Sequence, residues 1–282
     1  AAQTSRAAVM LPAMIATDVD GTLLDENERV TDRTRDAVHA AVAEGATFVL
    51  ATGRPPRWIK PVVDALGFAP MSVCANGAVL YDPQTDRIVS ARTLSVDALL
   101  ALAEIAEHAI PGVGLAVERV GRSAHDAATP QFVSSPGYEH AWLNPDNTEV
   151  SRADLLSAPA VKLLIRKAGA RSADMAAELA RYLGPEGDIT YSTNNGLIEV
   201  VPPGISKATG IDEVAGPLGI AAGDIVAFGS PGGIGHSGIN LGHNLFVSAR
   251  DSSNRPVPSM QPTDGVHIKR PVAGGVFRHY TG

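Results

Sequence analysis

Three short apolar runs in the first eighty residues each end in a small, polar, glycine-containing turn: "IATDVDG" at 15–21, "FVLATGR" at 48–54 and "SVCANG" at 72–77. Amphipathic segments separate the runs, as in βαβ units, and this pattern points to an α/β chain built on a parallel sheet. In such sheets ligands gather at the carboxyl ends of the strands, where all three turns fall. The first strand is expected in "AVMLPAMIAT" (8–17). A helix is expected over 31–45, with Thr31 as N-cap, Ala37, Val38, Ala41 and Val42 on one face and Gly45 as its stop. A second helix is expected over 58–67, ended by Gly67.

From about Pro83 to Asn194 the pattern becomes an α+β unit. "RIVSART" reads as its first strand, followed by a helix at 96–109 with Ser95 as cap and Val96, Leu99, Leu100 and Ala103 on one face. Residues 121–149 are polar and rich in turn formers, which suggests a long loop. The expected organisation is therefore a Rossmann-like core at 1–82 and 195–229, an inserted α+β cap at 83–194, and a Gly/Pro-rich tail at 230–282 read as irregular.

Composition narrows the function. The 282 residues carry a net charge of −7 and are 45% hydrophobic and 19% charged, as in ordinary globular proteins. A mildly acidic surface argues against nucleic acid, so a phosphate-bearing ligand must be met by local cations, a metal or backbone amides. No run reaches the roughly 18 to 20 apolar residues of a membrane helix. The start, with one Arg before an apolar stretch, is patterned like a short signal peptide, but the stretch runs straight into "DVDG"; a cytoplasmic location is expected. The lone cysteine, Cys74, allows no internal disulfide and suits a reducing compartment.

Asp18 and Asp20 stand one residue apart, which puts both on one face if the extended backbone persists. Two unscreened like charges ~4 Å apart repel by about 4 kcal/mol at an effective dielectric of ~20. A hard cation such as Mg²⁺ relieves this, commonly taking one or two carboxylates together with substrate phosphate oxygens. The alternative is a turn-capping aspartate beside a solvated one. A calcium EF-hand fails on spacing, because Leu23 and Arg29 occupy the positions that need Gly and Glu.

"DVDGTLLDEN", "LATGRP", "CANGAVLYD" and, late in the chain, "GISKATGI" resemble in this order the motifs of the haloacid dehalogenase-like phosphohydrolases. More narrowly, they resemble the Cof-type sugar-phosphate phosphatases with an inserted α/β cap, over residues 12–229. The resemblance implies Mg²⁺-dependent hydrolysis of a small phosphorylated metabolite. It makes Asp18 the nucleophile and metal ligand, and Asp20 the general acid and base, with its backbone carbonyl as a second metal ligand. Thr52 would donate to the phosphoryl group, Lys207 would neutralise Asp18 and the phosphate, and Gly21 and Gly53 would admit the phosphate closely. Arg54 would face substrate or pair with a carboxylate. Asn76 and Gly77 would shape the pocket beneath the cap or form a strand-end turn.

The family's fourth motif, which supplies further metal-binding carboxylates, is missing. Ser230 stands where an aspartate belongs after "DIVAFG", and Gly233 and Ile234 stand where Asn-Asp would. Three explanations are open: a tail that is not the natural continuation, such as a reading-frame change would produce; real divergence, with water, Asp224 or Asp251 replacing the ligand; or an inactive relative that binds a phosphate ligand or a partner. "GIGHSG" (233–238) fits a dinucleotide fingerprint, but only if a helix comes next. His236, His243, His267 and His279 lack metal-ligand spacing. Substrate identity and oligomeric state are not written in the sequence.

Overall fold

The structure is a computed structural model that describes residues 12–221 and 224–228, together with the backbone of three short strands in the tail. Its first sheet has the order β12-β1-β2-β3-β4-β5, with β1 Met14–Thr17, β2 Thr47–Ala51, β3 Ser72–Cys74, β4 Val79–Asp82, β5 Arg87–Ala91 and β12 Ile225–Phe228. The strands from β12 to β3 are parallel. At the far edge β4 and β5 run antiparallel, so the sheet is mixed rather than wholly parallel. "MSVCANGAVLYD" turns back on itself at Asn76–Gly77 and supplies the two strands β3 and β4.

Alternation along the strands sorts their side chains to two faces. Phe48 and Leu50 of β2 pack with Val38 of α1 (Asp32–Ala43) and Val62 and Leu66 of α2 (Lys60–Leu66). Val49 and Ala51 pack the other way, with Ile211 and Val214 of α6 (Lys207–Ala215). The first unit is thus a sheet between helices. The expected caps form: Thr31 accepts from the Thr34 amide, and Gly67 adopts the left-handed conformation at φ 78°. Of the expected α1 face only Val38 is buried.

The second sheet has the order β10-β11-β9-β6-β7-β8, with β6 Gly114–Glu118, β7 Phe132–Ser134, β8 Asn147–Glu149, β9 Lys162–Arg166, β10 Asp188–Thr190 and β11 Leu197–Val201. One face, with Leu115, Val117, Leu163, Ile165, Ile198 and Val200, packs on α3 (Val96–Ala109), α4 (Arg152–Leu155) and α5 (Ser172–Leu179). Ser95 caps α3 by accepting from the Ala98 amide. Its buried stripe is Leu99, Leu102, Ala103 and Ala106; Leu100, expected inside, is exposed because the true stripe lies one step around the helix.

Three expectations need correction. Residues 87–91, read as the opening strand of the inserted unit, form the edge of the first sheet, because β5 pairs with β4. The boundary at 195 falls too early: Leu197–Val201, which reads as the last strand of the inserted unit, belongs to the second sheet through β9 and β10. The 121–149 segment is not a plain loop but carries β7 and β8; short strands of three residues each give too little alternation to stand out in a polar stretch.

In the tail, expected to be irregular, Ile239–Asn240, Phe246–Arg250 and Gly265–Lys269 pair antiparallel. Val266 and Ile268 do alternate with polar neighbours, a period-2 signal that the surrounding Gly and Pro obscured. Ser230, Gly233, Ile234, Asp251, "GIGHSG" and the start of the expected first strand lie outside the described residues. Directly after "GIGHSG" the strand Ile239–Asn240 begins, where the dinucleotide fingerprint needs a helix. Among the described residues no helix is long and apolar enough to cross a membrane.

Candidate active site

The parallel register places Thr17 beside Leu50 on one side and Phe228 on the other, so the turns after β1 and β2 open on one edge of the sheet. Extended backbone does not persist to Asp20. The strand stops at Thr17 and residues 19–23 form an irregular turn, closed by Leu23 N–H to the Asp18 carbonyl at 3.3 Å and Leu24 N–H to the Val19 carbonyl at 3.0 Å. Gly21 takes a left-handed φ of 68°, which glycine adopts without a Cβ clash.

The two aspartates are consequently held by different cations. Asp18 Oδ1 accepts from the Val19 amide at 2.8 Å, and its Oδ2 lies 2.8 Å from Lys207 Nζ. Asp20 is 57% exposed and is gripped by Arg54, whose Nε donates to both carboxylate oxygens at 3.1 and 3.0 Å. That hydrogen bond raises the Arg54 guanidinium above its ordinary value despite partial burial. Of the two readings of Arg54, the free protein adopts the carboxylate pair.

Lys207 opens α6 behind the Ser206 cap, whose side chain accepts from the Thr209 amide while Thr209 accepts from the Ser206 amide. Gly77 makes room for this turn. Its φ is 103°, and a Cβ there would lie 2.0 Å from the Ser206 carbonyl oxygen, so a side chain would push Lys207 away from Asp18.

Thr52 is fully buried, and its Oγ1 accepts from the Arg54 amide at 3.1 Å. Gly53 is packed so closely that a Cβ would meet Asn76 Oδ1 at 2.9 Å. Asn76 itself is left-handed at φ 60°, a conformation asparagine tolerates better than most residues. Its Nδ2 donates to Glu199 Oε2 at 2.7 Å, so this amide is engaged by the second sheet.

The site is bordered by charges that the motifs did not announce. Arg57 is 2% exposed and pairs with Glu118 of β6, 8% exposed. Its Nη2 donates to Glu118 Oε2 at 3.2 Å and its Nε to Asp146 Oδ2 at 2.9 Å. Lys162 of β9 reaches Glu199 Oε1 at 3.0 Å and the Gly53 carbonyl at 2.8 Å. Burial outweighs the Arg57 pairing at Glu118 and pushes its carboxyl up to about 7. Burial also carries the Cys74 thiol far above its usual range, which makes it an inert core residue. A signal for Glu118, Lys162 and Glu199 was present: "GLAVE", "KLLIR" and "LIEVV" are apolar strands that each carry a charge at a buried or partly buried position.

The Asp18 carboxylate and the Asp20 main-chain carbonyl offer hard oxygens suited to Mg²⁺, which needs only one or two carboxylates and completes its shell with water and phosphate oxygens. Among the described residues no group of three or more His, Cys, Asp or Glu is gathered to hold a metal. The two aspartates therefore fit the ion in chemical kind but form a sparse set.

A family model described as haloacid dehalogenase-like hydrolase matches residues 15–231, ending two residues beyond the point where the sequence changes character. YxeH, a Bacillus subtilis protein named as a phosphatase, is 39% identical over 95 residues, 33% of this chain; the match spans only 35% of that relative's length. The HMP-PP phosphatase of Cronobacter sakazakii is 25% identical over 219 residues, 76% of each chain. Among solved structures, a haloacid dehalogenase subclass IIB sugar phosphatase superposes with a TM-score of 0.61 at 21% identity, covering 78% of this chain and 81% of that one. At that identity the likeness establishes the fold.

Proposed function

Because the chain belongs to the haloacid dehalogenase-like hydrolase family, we propose that it is a phosphatase that hydrolyses phosphomonoesters of a small metabolite through an aspartyl phosphate. The observation that supports this most directly is the disposition of charge on the strand-end turns: Asp18 held by its neighbouring amide and Lys207, with Asp20 beside it in the exposed grip of Arg54. The second sheet is read as the cap that covers this edge of the core and selects the substrate.

In this reading Asp18 Oδ attacks phosphorus and the bond to the ester oxygen breaks. Asp20, protonated, delivers its proton to the departing alkoxide. In the free protein Arg54 occupies both Asp20 oxygens, so an incoming anion that draws the guanidinium away would leave the carboxyl group free to face the leaving oxygen. Asp20 then takes a proton from water, which attacks the aspartyl phosphate, releasing phosphate and regenerating Asp18. Lys207 offsets the charge gathered at Asp18, and the Thr52 hydroxyl donates to the phosphoryl oxygens. Asp18 and Asp20 would hold Mg²⁺, which when bound would offset the mutual repulsion of carboxylate and phosphate.

Ser230 favours a second reading, a relative that binds a phosphate ligand without turnover. Hydrolysis of p-nitrophenyl phosphate across a Mg²⁺ titration separates the two. Asp18→Asn is expected to lower turnover by about 10⁴-fold or more; unchanged turnover removes Asp18 as nucleophile. Restoring the expected fourth motif with Ser230→Asp, Gly233→Asn and Ile234→Asp together is expected to raise Mg²⁺ affinity roughly tenfold or more. Phosphate binding without release in both chains would favour the second reading.

A further inference from the structure

Four groups close a ring between the site and the second sheet. Lys162 Nζ donates to the Gly53 carbonyl at 2.8 Å and to Glu199 Oε1 at 3.0 Å. Glu199 Oε2 accepts from Asn76 Nδ2 at 2.7 Å, and Asn76 Oδ1 packs over Gly53, 2.9 Å from where a Cβ would be. Lys162 is 6% and Glu199 15% exposed, in a place where an unpaired charge would be unfavourable. None of the four leaves a buried polar side-chain atom without a partner.

The ring acts on one peptide plane. The Gly53 carbonyl and the Arg54 amide belong to the same rigid unit and point in opposite directions. Lys162 holds the carbonyl from one side, while the Arg54 N–H donates to Thr52 Oγ1 on the other. The lone pair that Thr52 spends on this amide sets the direction left for its hydroxyl hydrogen. The same plane begins the residue whose guanidinium holds Asp20. Backbone bonds from Ala75 N–H to the Arg54 carbonyl at 2.9 Å and from Asn76 N–H to the Thr52 carbonyl at 3.0 Å join the two loops to each other. They leave the Gly53 carbonyl to Lys162.

We infer that Lys162 and Glu199, on β9 and β11, are positioning residues for the phosphoryl-transfer site: they lock the Gly53–Arg54 peptide and the Asn76 side chain, and through them aim Thr52 and Arg54. This rests on the phosphatase reading above for the roles of Thr52 and Arg54. It also couples the cap to the chemistry, because the locking charges come from the sheet that would move when the cap opens.

The test measures p-nitrophenyl phosphate kinetics, affinity for inorganic phosphate by calorimetry, and melting temperature, for the full chain and for Lys162→Met/Glu199→Leu. The double change removes both charges together, so neither is left buried alone. A melting temperature near that of the parent is expected, with kcat lowered about 10- to 100-fold, KM within about threefold, and phosphate bound at least about tenfold more weakly. If the double variant does not fold, Glu199→Gln gives the same comparison with a smaller loss. Turnover by the parent with kcat and phosphate affinity unchanged in the variant overturns the inference and leaves the phosphatase reading standing. Phosphate binding without turnover in the parent, weakened in the variant, overturns the reading and supports the positioning role; a parent that neither turns over nor binds phosphate overturns both.

Discussion

Arg54 and Arg57 are three residues apart, and each is paired with a carboxylate, yet their settings are opposite. Arg54 grips Asp20 at the open edge of the first sheet, where the carboxylate is 57% exposed. Arg57 lies against Glu118 with both side chains almost wholly out of water. At the edge, water competes for both ions, so the pair can exchange partners at little cost. At the junction of the sheets no such exchange is open, because a lone charge there has nothing to solvate it. The first setting suits a charge that can change partners; the second suits a joint.

The largest difference between them should appear on losing the cation. Arg57→Met at pH 8 is expected to destabilise the fold by about 3–5 kcal/mol, since Glu118 loses its buried partner and must either keep its charge out of water or take up a proton. Chemical denaturation measures this, and a loss under about 1 kcal/mol would show that the junction is wet.

Next comes the pH dependence of the parent. Glu118 titrates at about 7 when folded, against an ordinary 4.5. The folded state therefore binds the extra proton between these values, and stability falls as pH rises through the window. The contribution is complete below about pH 4.5 and is lost above about 7, a change on the order of 3 kcal/mol at most. Denaturation at pH 5 and pH 8 should show this slope in the parent and a flatter one in Glu118→Gln. The cost of Arg57→Met should likewise shrink at pH 5, where Glu118 can become neutral.

The smallest effect is expected at the open edge. Arg54→Ala should change stability by less than about 1 kcal/mol, because the Asp20 pair is screened by solvent, while turnover of p-nitrophenyl phosphate falls. A stability loss as large as that of Arg57→Met would erase the contrast between the two arginines.

The legible parts of this chain were those governed by neighbours along it. Thr31 and Ser95 cap their helices through amides three residues on, Gly67 ends α2, and Gly21 turns the backbone after Asp18. The motifs at Asp18, Thr52, Asn76 and Lys207 were likewise readable as short strings. The elements that escaped were short or mixed. Strands β7 and β8 have three residues each, and β5 carries a pattern that fits either sheet.

By itself the sequence determined which glycine-containing turns follow the strands of the first sheet, because strand ends, caps and left-handed glycines depend on contacts within a few residues. Only the tertiary structure decided which charges meet. Arg57 and Glu118 are 61 residues apart in the chain, Asn76 and Glu199 123, and Lys162 and Gly53 109. Nothing within a few residues of Arg57, Glu118, Lys162 or Glu199 names these partners. Stacking the second sheet over the strand ends buried them, and a buried charge must then find the partner that the other sheet supplies.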